Sequence, residues 1–138
     1  MWTCPECGRI FERTKQPHSC HKVSLEQHFK NKEKAKELFD YLAEQINSKI
    51  GNCQIISISC CVHLFGKYDF LAALPKKDRL EIRFGLDRKL NSPRLKQSVP
   101  VSSKYFKNCL DIYKIEEING GLIKWLNEAY HMKDETYG

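Results

Sequence analysis

The chain has 138 residues, of which 41% are hydrophobic and 29% are charged, and this globular composition excludes a disordered chain. Its length is that of one ordinary domain, or of one domain with a short appendage. No apolar run approaches the roughly eighteen residues of a membrane span, and the residues after Met1 lack a signal-peptide pattern, so we expect a cytoplasmic protein with no membrane partner.

The net charge of +6 is unevenly distributed along the chain. Residues 51–110 carry eleven Lys and Arg against four Asp and Glu, a local charge of +7, whereas residues 111–138 carry three against six. A positive field of this kind favours anionic partners such as DNA or RNA. A moderately basic, solvated surface would give the same count.

The first element is a set of metal ligands. A Cys-x-x-Cys pair stands near the start, ten residues separate it from a His, and a third Cys follows two positions after that His. Thiolates combined with an imidazole prefer zinc, and four protein ligands leave no open position for a catalytic water. We therefore predict a structural zinc knuckle over residues 1–22. The predicted ligands are Cys4, Cys7, His18 and Cys20.

Two further histidines, His21 and His28, are near enough to replace Cys20 as a ligand. The spacing does not fit a two-Cys two-His finger, because a single residue separates the last His and Cys and Pro17 obstructs a continuing helix. A recognition helix that reads the major groove is therefore not predicted.

Residues 23–138 form the second predicted unit. A capping-box pattern at Ser24 and Gln27 starts a helix, a break follows near Asn31, and apolar residues then recur at helical spacing until Gly51 ends the helix. From Gln54 to Leu64 apolar residues alternate, which predicts one half-buried strand with a bend near its cysteine pair.

Turns at Gly66-Lys67 and at Pro75 to Asp78 predict two more strands, over residues 68–74 and 79–87, in an antiparallel meander. Residues 88–103 predict an irregular connection with one helical turn at 93–97. A strand over residues 105–113 and a final helix follow, and Gly120-Gly121 suggests that this helix becomes regular only after them. The predicted fold class is α+β, an antiparallel sheet of about four to five strands with helices packed on one face.

The sequence resembles a family of small, mostly bacterial proteins known as domain of unknown function 5655, in which a zinc knuckle often precedes the domain. The resemblance covers nearly the whole chain. It implies a fold and a metal site without an established reaction. One departure is that Asn108 and Cys109 stand where members are expected to carry histidines. The segments that carry the resemblance are residues 4–9, 16–20, 24–29, 74–80 and 125–130.

The first functional hypothesis is a nucleic-acid-binding or nucleic-acid-associated module. Basic residues on one strand and in the turns around it would hold phosphates, and Tyr68 or Tyr105 would stack on unpaired bases. The competing interpretation is a solvated basic surface with both tyrosines in the core. The residues expected to bind are Lys67, Lys76, Lys77, Arg79, Arg83, Arg88 and Lys89, with Arg94 and Lys96 nearby.

The alternative is a protein-interaction or small-ligand-binding module that uses the knuckle as a docking element. Enzyme activity stays open but is not indicated, since the sequence has none of the motifs of phosphate-binding loops, nucleophile elbows or metalloproteases. The best catalytic pair is Cys61 and His63. We expect these side chains to stand about 7 Å apart on one strand, too far for a nucleophile and its base.

Overall fold

The computed structural model describes residues 2–5, 10–11, 13–15, 23–58, 61–67, 69–102 and 105–137. It has the predicted α+β class, with a large antiparallel sheet and a separate two-stranded ribbon. The ribbon pairs β1 (Trp2–Thr3) with β2 (Ile10–Phe11). The large sheet contains β3 (Gln54–Ser57), β4 (Val62–Phe65), β5 (Asp69–Pro75), β6 (Leu80–Leu86), β7 (Leu95–Ser102) and β8 (Tyr105–Ile112). The helices are α1 (Leu25–Phe29), α2 (Glu33–Lys49) and α3 (Gly120–Tyr137), with a short 3-10 helix at Ile115–Glu117.

The two N-terminal helices form where the local signals predict them. Ser24 caps α1 by accepting a hydrogen bond from the Gln27 amide at 3.2 Å. Asn31 has a φ of 60°, a left-handed backbone conformation that separates α1 from α2. After α2 the Gly51 amide donates to the Ile46 carbonyl, as a helix C-terminal glycine does.

The large sheet has the strand order β3-β4-β5-β6-β8-β7, and every neighbouring pair is antiparallel. All three helices cover one of its faces. Leu38 and Leu42 of α2 and Leu126 of α3 are fully buried there against apolar side chains of the strands. Burying such residues supplies most of the favourable free energy of folding. Within the described residues, no helix combines the length and the apolarity that a bilayer crossing requires.

The prediction of a single strand from Gln54 to Leu64 is wrong. The segment forms two strands, β3 and β4, which pair with each other as a hairpin. Ile58 and Cys61 exchange both backbone hydrogen bonds, at 3.1 and 3.2 Å, and so close the turn. Alternation of apolar residues continues through this turn, and for that reason the pattern did not reveal it.

The predicted irregular connection over residues 88–103 is also wrong in its second half. Residues 95–102 form β7, which pairs with β8 at the edge of the sheet. Pro100 lies within β7 and has no amide hydrogen to donate to a neighbouring strand. An edge strand tolerates it because only one of its sides needs ladder hydrogen bonds. The hairpin and β7 together explain why the sheet has six strands rather than four or five.

Helix α3 begins at Gly120, earlier than predicted. The Asn119 side-chain oxygen accepts a hydrogen bond from the Leu122 amide at 3.1 Å and so caps the helix. Gly120 and Gly121 therefore occupy the first turn. The amides of a first turn have no intrahelical partner, and this makes glycine less costly there than in a helix interior.

Candidate functional site

We call the sheet face opposite the helices the outer face. Directly paired residues of antiparallel strands point to the same side, so the strand registers define rows of side chains across it. The row through the middle crosses all six strands. Its members are Ile56, His63, Ala72, Arg83, Cys109 and Gln97, in the order of the strands.

Trp2 and Cys4 lie against the outer face on the side of the β3-β4 hairpin. Cys4, only 4% exposed, packs with Ile56, Ile58 and Phe65 of the β3-β4 hairpin, and Trp2 packs beside it. This contact covers the apolar side chains of the β3-β4 hairpin on the outer face, so Trp2 and Cys4 are seated on the sheet.

The structure describes one of the predicted zinc ligands, Cys4. Cys7, His18 and Cys20, and the alternative ligand His21, lie outside the described residues. Within the described ranges, no three His, Cys, Asp or Glu side chains gather in a way that could hold a metal.

The other alternative ligand, His28, is described. Its Nε2 atom donates a hydrogen bond to the Ile58 carbonyl at 2.6 Å. This nitrogen is therefore engaged with the hairpin and does not offer a lone pair to a metal.

A cluster of charged residues occupies the far half of the outer face. Glu81 is 4% exposed, and its carboxylate forms ion pairs with Arg83 at 2.7 Å and with Lys96 at 2.9 Å. Asp111 pairs directly with Glu81 across the strands and contacts Arg79 at 3.3 Å and Lys96 at 3.4 Å. Three cations thus share two carboxylates, and we call these five residues the charge cluster.

The charge cluster lowers the pKa of Glu81. Burial alone would raise the pKa of this carboxyl, but the hydrogen bonds from Lys96 and Arg83 and their positive charges outweigh burial and lower the pKa to about 2. Glu81 is consequently ionised at neutral pH, and its charge holds Arg83 and Lys96 in place.

The seven predicted phosphate-binding residues do not form one surface. Arg79 and Arg83 belong to the charge cluster, and Arg88 pairs with Glu128 of α3 at 2.7 Å. Nearby, Arg94 donates to the Glu117 carbonyl at 2.6 Å and so fixes the 3-10 helix. The arginine side chains are therefore engaged in ion pairs and hydrogen bonds within the domain.

The predicted lysines lie at opposite ends of the central strands. Lys76 and Lys77 are in the turn between β5 and β6. Lys67 is in the turn between β4 and β5, at the end of the sheet where β6 leads into Lys89. Lys107, which is not among the predicted binding residues, is exposed and pairs with Gly85 of β6. In the described part of the chain, no carboxylate lies within ion-pair distance of Lys76, Lys77, Lys89 or Lys107.

One of the two tyrosines considered for base stacking is described. Tyr105 is half-buried and lies over Gly85, where an added Cβ would collide with the tyrosine hydroxyl. Gly85 belongs to the outer face because it pairs with Lys107 in the next row after Arg83. Tyr105 is therefore on the outer face rather than in the helix-covered core. Tyr68 lies outside the described residues.

The structure overturns the expected separation of Cys61 and His63. The Cys61 sulfur is 3.1 Å from His63 Nε2, and His63 Nδ1 is 2.7 Å from Asp69 Oδ2. The second contact is an ion-pair approach without the alignment of a hydrogen bond. Cys61 precedes the first residue of β4 and closes the hairpin turn, so its backbone does not follow the strand geometry on which the 7 Å expectation rested.

The other described thiols on the domain have no imidazole beside them. Burial raises the pKa of Cys53. Burial and the charge of Glu81 raise the pKa of Cys109 more than the hydrogen bond and charge of Arg83 and the charge of Lys96 lower it. Both are therefore protonated thiols at neutral pH. Cys109 is 7% exposed, whereas Cys53 is only partly buried.

Comparison with known proteins gives one match. A family model described as Domain of unknown function (DUF5655) matches residues 25–133, which is most of the chain and all of the large sheet. No curated protein and no solved structure matches the chain.

Proposed function

The chain belongs to the Domain of unknown function (DUF5655) family, and we propose that it is a nucleic-acid-binding module. It would contact phosphates through lysines at the ends of its central strands. Membership of the family assigns no activity, so the proposal is argued from the surface of the domain. The observation that carries the proposal is that Lys76, Lys77, Lys89 and Lys107 have no carboxylate within ion-pair distance in the described part of the chain. Of the four acidic residues of the central segment, Asp78, Glu81 and Asp87 lie beside arginines or Lys96, and Asp69 contacts His63. The excess positive charge of this segment therefore resides on these lysines.

The spacing of the lysines supports an extended anionic ligand. The seven residues of β6 separate the turn at Lys76 and Lys77 from Lys89, a distance of about 23 Å at 3.3 Å per residue. Lys107 lies on the outer face opposite Gly85, close to the Lys89 end of β6. A chain of phosphates lying along β6 would therefore meet cations at both ends. One small phosphorylated ligand could not reach both ends.

Tyr105 adds a stacking surface to this track. Its hydroxyl lies over Gly85, the residue that pairs with Lys107, and aromatic rings on a basic surface are the usual means of holding unpaired bases. Single-stranded DNA or RNA therefore fits this surface better than a duplex, whose bases are not available for stacking. Arg79 and Arg83 contribute indirectly by keeping the charge cluster ordered.

The proposal predicts binding that falls with salt. Full-length protein is titrated into fluorescently labelled single-stranded RNA, single-stranded DNA and duplex DNA at several salt concentrations, with anisotropy as the readout. With three or four phosphate contacts, the slope of log K against log salt is about −2 to −3 for single strands. The double variant Lys76→Glu/Lys77→Glu should weaken binding at least tenfold and make the slope shallower.

A matched control makes the same change of charge on the helix layer. Lys34 of α2 and Lys124 of α3 are both exposed, and their helices lie on the covered side of the sheet. Lys34→Glu/Lys124→Glu should bind nearly as wild type does. Equal losses in the two double variants would mean that net charge alone is responsible. Undetectable or salt-independent binding would reject the proposal in favour of a protein-interaction or small-ligand-binding module.

We also propose that Cys4, Cys7, His18 and Cys20 hold a structural zinc ion. Cys4 suits this role because its sulfur is shielded by apolar side chains of the hairpin, where a thiolate needs a cationic partner. Zinc would supply no open position for chemistry. Its effect would be to order the N-terminal segment on the outer face.

A further inference from the structure

We propose that Cys61 is a nucleophilic thiol that reacts with small hydroperoxides, with His63 as the proton acceptor and Asp69 as a positioning residue. This inference is independent of nucleic-acid binding. It concerns a different end of the outer face, next to the N-terminal segment.

The geometry of the three side chains supports the proposal. At 3.1 Å the Cys61 sulfur is within hydrogen-bond reach of His63 Nε2, and Asp69 approaches the opposite ring nitrogen at 2.7 Å. A nucleophile in contact with a base, and the base in contact with an orienting group, is the arrangement of an activated thiol. Asp69 also stabilises the imidazolium that forms when His63 accepts the thiol proton.

Three separate backbone features produce this arrangement. Cys61 closes the hairpin turn, His63 sits within β4, and Asp69 opens β5 directly across from Phe65. The register shift between Leu64 and Phe65 brings the start of β5 closer to His63 than regular pairing would. The contact between these side chains is therefore fixed by the sheet and not by a mobile loop.

The surroundings restrict the size of the reactant. Cys61 is 7% exposed and His63 is 8% exposed, so only a small molecule reaches the sulfur. The Cys61 amide donates to the Ile58 carbonyl and does not face an incoming oxyanion. Acyl transfer requires donors to such an oxyanion, whereas attack on a peroxide does not.

The proposed reaction balances without any further group. The Cys61 sulfur attacks the terminal oxygen of ROOH, an S–O bond forms and the O–O bond breaks. His63 accepts the thiol proton and delivers it to the departing RO⁻. The products are a sulfenic acid at Cys61 and the alcohol ROH, or water when the oxidant is hydrogen peroxide.

The test compares cysteines within one chain. Full-length protein is exposed to a low concentration of hydrogen peroxide, sulfenic acid is trapped with dimedone, and each cysteine is quantified by peptide mass spectrometry. Cys61 should be modified at least tenfold faster than Cys53 and Cys109, the described thiols with no imidazole beside them. Equal rates at the three positions would overturn the proposal.

Variants separate the roles of the neighbours. His63→Gln should slow the modification of Cys61 at least tenfold and leave that of Cys109 unchanged, because a positioned general base contributes a factor of this size or more. Asp69→Asn should slow it less, and Asp69→Glu should restore part of the rate while Asp69→Leu should not. An unchanged Cys61 rate in His63→Gln would contradict the assignment.

A measurement on the unaltered protein covers the case in which a variant fails to fold. The rate at Cys61 is measured in native protein and in protein unfolded by urea. The proposal requires the native rate to equal or exceed the unfolded rate despite the burial of the sulfur. A slower native rate would show that burial merely protects Cys61 and would overturn the proposal.

Discussion

At the scale of single residues, Glu81 illustrates how a buried carboxylate on the outer face is neutralised by neighbouring cations. A carboxylate that is 4% exposed would be costly to ionise alone, yet Lys96 and Arg83 bind it from two sides. The two cations are about two-fifths exposed, so solvent screens part of each interaction. Glu81 therefore serves mainly to fix the positions of two basic side chains.

We expect replacement of the Glu81 carboxylate to lower the stability of the fold by an amount that depends on pH. Glu81→Gln should lower the free energy of unfolding at pH 7 by about 2 kcal/mol, since hydrogen bonds from charged groups to a buried acceptor are lost. The folded pKa of about 2 lies below the unfolded value of 4.5, so this stabilisation is complete above pH 4.5 and disappears as the pH falls towards 2.

Urea unfolding of wild type and variant across this pH range measures the effect. The difference between the two should shrink steadily below pH 4.5. Glu44→Gln, at an exposed position on α2, is the control and should change stability by less than about 0.5 kcal/mol at any pH. A difference for Glu81→Gln that does not vary with pH would contradict the role assigned to its charge.

At the scale of elements, the start of α3 joins three parts of the fold. Asn119 Oδ1 accepts the Leu122 amide, and Arg94 Nη1 donates to the same oxygen at 3.3 Å. Arg94 also binds the Glu117 carbonyl, so one arginine connects β7, the 3-10 helix and α3. The cap compensates for the two glycines that follow it.

Asn119→Ala should therefore lower the free energy of unfolding by about 1 kcal/mol, as is typical for the loss of a side-chain cap. Asn119→Asp should retain the stability, because its carboxylate still accepts the Leu122 amide and faces both Arg94 and the positive end of the helix dipole. Thermal unfolding followed by circular dichroism distinguishes the two. If both variants are equally destabilised, the cap is not the cause.

At the scale of the whole molecule, the N-terminal segment and the domain share one apolar contact. Trp2 and Cys4 cover Ile56, Ile58 and Phe65, and removal of the segment would uncover them on the outer face. The core between the helices and the sheet is a separate cluster that does not include these residues. The domain should hence remain folded without the segment.

The proposed zinc ion makes this separation testable. Wild-type protein should contain one zinc per chain, and Cys7→Ser should lose it, because a structural zinc contributes on the order of 10 kcal/mol to so short a segment. Hydrogen exchange should then accelerate in residues 1–22 and in β3, whose outer face becomes exposed. Exchange in β6 and β8 should not change.

Metal analysis of the purified variant supplies the decisive measurement. Unchanged one-to-one zinc in Cys7→Ser would exclude Cys7 as a ligand. Rapid exchange throughout the large sheet would instead show that the domain depends on the knuckle. The variant Cys53→Ser, which changes a thiol outside the predicted ligand set, is the control and should retain zinc.

The sequence alone determined the features that depend on near neighbours in the chain. The cap at Ser24, the end of α2 at Gly51, the meander through β5 and β6 and the α+β class follow from spacing and turn residues, and the structure confirms them. Counting charges showed that the excess of Lys and Arg lies in residues 51–110. It could not show which cations have partners, because Glu81 and Asp111 meet Lys96 only across paired strands.

Tertiary structure alone decided the rest, because each remaining feature depends on residues that pairing brings together. Periodicity continued unchanged through the β3-β4 turn, and Pro100 concealed an edge strand that exists only because β8 lies beside it. The same turn moved Cys61 out of strand geometry and onto His63, and β5 then supplied Asp69. A sequence pattern predicts which way a side chain points within an element, whereas contacts at turns and between strands are set by how the elements pack.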